Sequence, residues 1–190
     1  MKVTHEIIEN EKFNEFSSFI IKSDCKNFKI RGNDLKTFEE ISELLSIKTL
    51  KICQSTPDKY AINQDSKFIN LLSEFGDCLD EYVPHFIFYL YKEYKDYSIV
   101  QSGNYWYRKL NYMGWHTNAD HPYLRIYFSF ASEDNKSYFS YLDENGEIIK
   151  SYDKAGWNLR KFQISKSDPL WHCVYSDAER ISVGFRVIKI

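Results

Sequence analysis

The sequence predicts an α+β chain: a mainly helical support region in residues 1–95, packed on a barrel or sandwich of about seven to eight short strands in residues 96–190. Three observations predict this. Apolar residues recur at helical spacing before residue 95 and not after it. From Tyr97 onward, short β-rich runs are cut by turn signals. The 190 residues include 15 Tyr, 14 Phe and 4 Trp but only 7 Gly and 4 Pro. That is ample material for one core and little for a linker, so a single domain is expected.

The helices follow from periodicity. Glu11 to Lys22 carries apolar residues at 13, 16, 19, 20 and 21, a helical stripe. Asp34 to Leu45 has a start signal at Asn33/Asp34 and Phe38, Ile41, Leu44 and Leu45 on one side. Lys67 to Leu79 continues with Phe68, Leu71, Leu72, Phe75 and Leu79, and Tyr82 to Tyr94 reads as a helix starting near Pro84. The strands follow from punctuation. Turn signals fall at 102–104, 119–122, 133–136, 143–146 and 168–169, and Asn145-Gly146 between Tyr138–Leu142 and Ile148–Tyr152 is a hairpin signature. No free helical domain is expected; the helices cover the outside of the β-unit.

Composition excludes several classes. The 25 basic residues against 27 acidic give a net charge of −2. That is a poor match to a protein held on a nucleic-acid duplex by phosphate contacts. The four cysteines, at 25, 53, 78 and 173, form no CxxC pair and read as reduced thiols. The first residues lack the apolar run of a secretory leader. The most apolar stretch, Val83 to Tyr91, is too short to span a bilayer. A soluble, cytoplasmic protein with no membrane partner is expected, and the oligomeric state is open. There is no GxSxG elbow and no Gly-rich phosphate loop to support hydrolase or nucleotide chemistry.

The last strand bears on function. From Arg180 to Val187, alternation puts Arg180, Ser182, Gly184 and Arg186 on one face and Ile181, Val183, Phe185 and Val187 on the other. Either the arginines face water over an apolar core, or they point into a barrel whose apolar outer face is covered by helices. Two further stretches bear on the choice: Tyr107 to Asp120, containing His116-Thr117-Asn118, and Leu170 to Tyr175, containing His172. Arg180 follows His172 by eight residues and Arg186 by fourteen.

Together these stretches resemble the iron(II)/2-oxoglutarate-dependent dioxygenases, whose fingerprint is His-x-Asp/Glu, a second His, then an Arg on the next strand. The resemblance covers roughly residues 97 to 190. It implies a double-stranded β-helix (jelly-roll) barrel and an oxygenase that couples decarboxylation of 2-oxoglutarate by oxygen to hydroxylation of a C–H bond. It further implies His116 and His172 as iron ligands, Arg180 and Ser182 on the remote carboxylate of 2-oxoglutarate, and Arg186 and Tyr107 as further cosubstrate contacts. The chemistry is consistent. Two imidazoles and an oxygen ligand on one face of iron(II) leave three positions open, and arginine suits a carboxylate.

One position departs from the pattern: Asn118 stands where the family has a carboxylate. Asp120 could supply it through a bulge, with 116, 118 and 120 sharing a strand face. Asn118 could ligate through its amide oxygen or leave two histidines and a water. Or the metal is lost, leaving a non-catalytic jelly-roll binding module. A halogenase-like variant, with chloride in the vacated position, is a further alternative. A metal enzyme of the same barrel class that does not use 2-oxoglutarate fits less well, having no need of Arg180 and Ser182. The substrate is open, with a small molecule or an exposed side chain favoured. Arg125, Trp115 and Trp157 are candidate substrate contacts, although the tryptophans read more simply as core. His121 reads as a loop residue, His85 as a partly buried structural one, His5 as part of a frayed terminus, and Cys173 as a packed thiol. The 152–158 segment reads as a loop that shapes access.

Overall fold

The computed structural model describes residues 3–24, 26–32, 36–55, 65–118, 123–165 and 167–190. In chain order these form β1 (Thr4–Ile8), α1 (Glu11–Lys22), β2 (Ile30–Arg31), α2 (Phe38–Leu44), α3 (Ile47–Ser55), β3 (Ser66–Asn70), α4 (Leu71–Glu74), α5 (Gly76–Tyr91) and β4 (Tyr97–Tyr107). Then follow β5 (Asn111–His116), β6 (Leu124–Ala131), β7 (Ser137–Leu142), β8 (Ile148–Tyr152), β9 (Gly156–Gln163), β10 (His172–Ser176) and β11 (Arg180–Lys189).

Every pairing is antiparallel, in the order β1-β9-β6-β11-β4-β3-β5-β10-β7-β8, with β2 on β3. From β4 on, the chain passes back and forth between a β9-β6-β11-β4 sheet and a β5-β10-β7-β8 sheet. This is a jelly-roll winding that leaves the barrel nearly closed. Strand β3 bridges the two sheets by pairing with β4 through Ile69 and Asn70 and with β5 through Ser66 and Lys67.

Eight strands lie between Tyr97 and Lys189, and the total exceeds expectation because the first half contributes three more. Thr4–Ile8 is an edge strand exposed at four of its five residues, so it carries no inward-outward alternation to read. Lys67 to Leu79 is not one helix. Phe68, Leu71, Phe75 and Leu79 are all buried, but they belong to a strand, a short helix capped by the Asn70 side chain, and the start of α5. Apolar spacing of three and four thus spans a strand-to-helix transition. Helix α5 begins at Gly76 rather than near Pro84, which lies within it.

The helices cover the outside of the barrel. In α1, Asn10 caps the first turn by accepting from the backbone N–H groups of Lys12 and Phe13, and Phe13, Phe16 and Ile20 face inward. Phe13 stacks on Phe86 of α5 at 4.0 Å and meets the edges of Phe128 and Trp157. Under these helices lie Ile181, Val183, Phe185 and Val187. Of the two readings of β11, the arginine-inward one holds. The second sheet is covered by α2 and α3: Ile41, Leu45 and Leu50 pack on Tyr112, Trp115, Cys173 and Tyr175. Helix α2 is started by a Thr37–Glu40 capping box. The Asn33/Asp34 signal lies outside the described residues. No described helix is long and apolar enough to cross a membrane.

Candidate functional site

Two histidines define the site. His116 ends β5, His172 begins β10, and the two are direct partners across the antiparallel pair, with ring centroids 4.1 Å apart. The strands slip register between this pair and the Val174–Met113 pair, so Gly114 and Trp115 face a single residue of β10. Simple alternation from the inward Met113 would send Trp115 inward and His116 outward. The bulge reverses this: Trp115 packs outward on the helices and His116 turns into the barrel.

Each imidazole is set the same way. His116 Nδ1 lies 2.8 Å from the Gly114 carbonyl and His172 Nδ1 lies 2.8 Å from the Leu170 carbonyl. A carbonyl only accepts, so each Nδ1 carries the proton and each Nε2 keeps its lone pair. Burial, reinforced by the Arg125 charge, pushes His116 down to about 4. Burial and the neighbouring His116 push His172 well below the usual histidine value. Both rings are neutral at pH 7, the form that binds a metal, and each is oriented by a backbone carbonyl.

Asn118 reaches the same place by a different route from the expected one. Strand β5 ends at His116, and Asn118 sits at φ 55°, in the left-handed region asparagine tolerates. Its amide nitrogen lies 3.2 Å from His172 Nε2 and 3.3 Å from the Tyr127 hydroxyl. It is therefore a local turn, not a continuing strand face, that brings Asn118 to the histidines. Asp120 and His121 lie outside the described residues. Among the described residues no group of three His, Cys, Asp or Glu side chains forms a metal cluster. Among the described residues, the groups gathered there are two imidazoles and an amide.

The floor of the barrel is built around Asp153, a residue fully shielded from solvent. It accepts from Arg180 Nε at 2.9 Å, from Ser137 Oγ at 2.6 Å and from Arg160 Nη1. Burial alone would push this carboxyl up, but the Arg180 and Arg160 guanidiniums hold it down at about 2. Arg180 Nη2 donates to Ser129 Oγ at 2.9 Å. One nitrogen of Arg180 is left over. Nη1 is buried and has no hydrogen-bond partner among the described residues, and Arg180 lines the cavity that His116 and His172 also line. An orphaned guanidinium nitrogen in such a place fits a ligand carboxylate.

The cavity has an empty volume of about 680 Å³ with its mouth included. Of the residues singled out in the sequence, His116, His172, Asn118, Arg180, Ser182, Tyr107 and Arg125 all line it. Burial keeps the Tyr107 hydroxyl protonated and pushes Tyr127 up to about 12. Arg186 shares the inward face of β11 but does not line this cavity. Trp115 and Trp157 are fully buried in the outer cores beneath the helices, away from the cavity. Their indoles pack rather than offer a substrate platform. His85 is exposed, not partly buried. His5 is held in β1, its Nε2 2.9 Å from Asn158 Oδ1. Cys173 is a buried thiol, as expected.

Sequence reasoning missed Asp153, Arg160, Ser129 and Tyr127. A signal for Arg160 existed. Strand β9 alternates like β11, with Trp157 and Leu159 in the outer core and Asn158 and Arg160 facing inward. Asp153 lay in what read as an access loop, and no local pattern marks it.

No model of a known protein family matches the sequence, and no curated protein does. Solved structures do. The chain is similar to an oxidoreductase of the 2OG-Fe(II) oxygenase family from Burkholderia pseudomallei, at 9% identity over 97% of this chain and 93% of that one, with a TM-score of 0.44. It is similar to a prolyl hydroxylase from Trichoplax adhaerens, solved with a hypoxia inducible factor peptide fragment, at 12% identity over 96% and 94%, TM-score 0.42. It is also similar to a Pseudomonas putida prolyl-4-hydroxylase, at 11% identity over 92% and 99%, TM-score 0.39. At these scores the reading of the site rests on its own geometry.

Proposed function

We propose that the chain is an iron(II)/2-oxoglutarate-dependent oxygenase that hydroxylates a C–H bond. One observation carries the reading: two neutral, pre-oriented imidazoles and an orphaned buried guanidinium nitrogen open into one cavity. His116 and His172 would hold iron(II) through Nε2, and Asn118 would offer its amide oxygen. Arg180 Nη1, with the Ser182 hydroxyl beside it, would hold the remote carboxylate of 2-oxoglutarate. When bound, iron, 2-oxoglutarate and oxygen supply the oxidising power for C–H hydroxylation, and the protein supplies orientation and shielding.

The chain's own residues have defined tasks. Asp153 and Ser129 fix two nitrogens of Arg180, so the third is presented without a rotamer search. The two backbone carbonyls keep Nε2 of both rings deprotonated. Phe139 and Phe162 pack on His172, with ring centroids at 5.1 and 5.7 Å, and exclude water from that side.

The test is an anaerobic titration of iron(II) with 2-oxoglutarate, read by the visible charge-transfer band of the chelate. A band that requires both components and vanishes in Arg180→Ala supports the proposal. No band, with no iron retained, sinks it. A second reading has a specific observation in its favour. The Asn118 amide nitrogen, not its oxygen, is turned to His172 Nε2, which suits a metal-free binding module. That reading expects no iron retention in the same titration.

A further inference from the structure

Tyr127 is held more firmly than the amide beside it. It stands on β6 opposite Gly184 of β11, and a Cβ on Gly184 would come within 3.1 Å of its ring. Phe162 meets that ring at 5.1 Å and Phe139 at 6.3 Å, both edge-on. The same two phenylalanines flank His172, with centroids at 5.7 and 5.1 Å. Shared packing thus fixes the Tyr127 ring and the His172 ring relative to each other. Asn118, by contrast, sits on the turn after β5 and is only partly buried. Its amide can turn about Cβ–Cγ, a torsion with a broad, roughly two-fold profile.

The amide joins these two fixed groups. Its nitrogen lies 3.2 Å from His172 Nε2 and 3.3 Å from the Tyr127 hydroxyl. The lone pair on Nε2 decides which end of the amide faces it. His172 Nδ1 donates to the Leu170 carbonyl, so Nε2 only accepts, and only the NH2 end of the amide can meet it. A lone pair given to a divalent ion accepts nothing further, and the ion draws in the amide oxygen, not an N–H. The separation suits both arrangements. Two atoms bound side by side to one divalent ion at about 2.1 Å each stand about 3.0–3.4 Å apart. Exchanging nitrogen for oxygen needs a neighbour that tolerates either end. A phenol does, since it accepts from an N–H and donates to a C=O. A backbone carbonyl in that place would hold the nitrogen only.

We propose that Tyr127 is a positioning residue that acts through Asn118: its hydroxyl accepts from the amide nitrogen while that nitrogen caps His172, and donates to the amide oxygen when a divalent ion takes the Nε2 lone pairs. This rests on the oxygenase reading for its metal and deepens it by naming what orients the third ligand. A neutral amide is held less strongly by charge than a carboxylate, so a hydrogen bond that selects its oxygen matters more. The nitrogen turned to His172, which alone suits a metal-free module, becomes one half of an exchange. Asn118 then guards the imidazole and ligates by turns, and Tyr127 serves both positions.

The test is a titration of zinc(II), a diamagnetic probe, into the full 15N-labelled chain. It is followed by the side-chain amide signals of Asn118, identified by their loss in Asn118→Asp, and counts only the binding that His172→Ala abolishes. The Asn118 signals are expected to shift as zinc binds. Tyr127→Phe, which removes only the hydroxyl, should weaken zinc binding by about three- to tenfold, the worth of one hydrogen bond. The same change made in Asn118→Asp should cost much less, because a carboxylate has no wrong end to present. Equal losses in the two backgrounds are what a merely structural tyrosine gives, and they overturn the proposal. So do Asn118 signals that zinc leaves unmoved, or the absence of His172-dependent binding. The anaerobic iron(II) and 2-oxoglutarate band, measured on the same variants, separates the two readings. A band with unmoved Asn118 signals removes the exchange alone. The expected zinc results without a band remove the oxygenase reading and leave the exchange standing.

Discussion

The two ends of the barrel handle charge in opposite ways. At the floor, two buried guanidiniums share one carboxylate, and Ser137, Ser129 and Ser151 satisfy what remains, leaving a single nitrogen over. At the mouth the metal-binding candidates are neutral, the amide brings no charge, and two arginines face one another across strands. The floor is a nearly completed electrostatic structure that holds one donor in place. The difference separates a buried ion network that presents one donor from a set of uncharged side chains that share the cavity with it.

The largest expected effect breaks the floor. Asp153→Asn leaves two buried guanidiniums without their counter-charge. Removing one partner of such a group is expected to cost about 3–5 kcal/mol. Guanidinium or thermal unfolding of the metal-free protein checks this. A loss under about 1 kcal/mol, the scale of an exposed pair, would show that the triad is not a closed unit.

The next effect distinguishes floor from mouth by pH. His116 is held down at about 4 in the folded state against an ordinary value near 6.5. Between these values the unfolded chain binds a proton that the folded chain does not. Stability of the metal-free protein therefore falls as pH drops from 6.5 to 4, by about 3 kcal/mol at full extent. His172 acts in the same direction. Asp153 acts lower. Its stabilisation is present above its unfolded value near 4 and is lost as pH falls towards about 2. Urea unfolding across pH 7 to 4 should show the histidine slope, and His116→Gln should flatten it. An unchanged slope in that variant would place the titration elsewhere.

How far the sequence revealed these two ends follows from particular residues. His116, His172, Arg180 and Ser182 were visible because their spacing carries a motif, and the apolar face of β11 because alternation by two is unbroken there. The inward turn of His116 depends on the bulge at Gly114 and Trp115, which a period-two reading inverts. Asp153 was invisible because its partners, Arg160 and Arg180, meet it only in three dimensions, 7 and 27 residues away. Thr4–Ile8 and Ser66–Asn70 were missed because pairing to distant strands, not local pattern, makes them strands.

The smallest expected effect on stability sharpens the mouth. Asn118 sits at φ 55°, a conformation glycine adopts freely, so Asn118→Gly removes the amide without straining the backbone. Its stability should change by less than about 1 kcal/mol, the worth of the weak amide contacts to Tyr127 and His172. Iron(II) affinity separates the ligand sets. If the amide oxygen ligates, Asn118→Gly weakens binding and Asn118→Asp, which places a charged oxygen at the same turn, tightens it. If affinity is the same in wild type and Asn118→Gly, the third position belongs to another residue, and Asp120→Ala is the variant to measure next. A gain in Asn118→Asp alone would mean that the natural site works with two imidazoles and solvent. The turn at residue 118 would then hold the backbone for Arg125, whose Nη2 lies 3.4 Å from the Asn118 carbonyl, and not the metal.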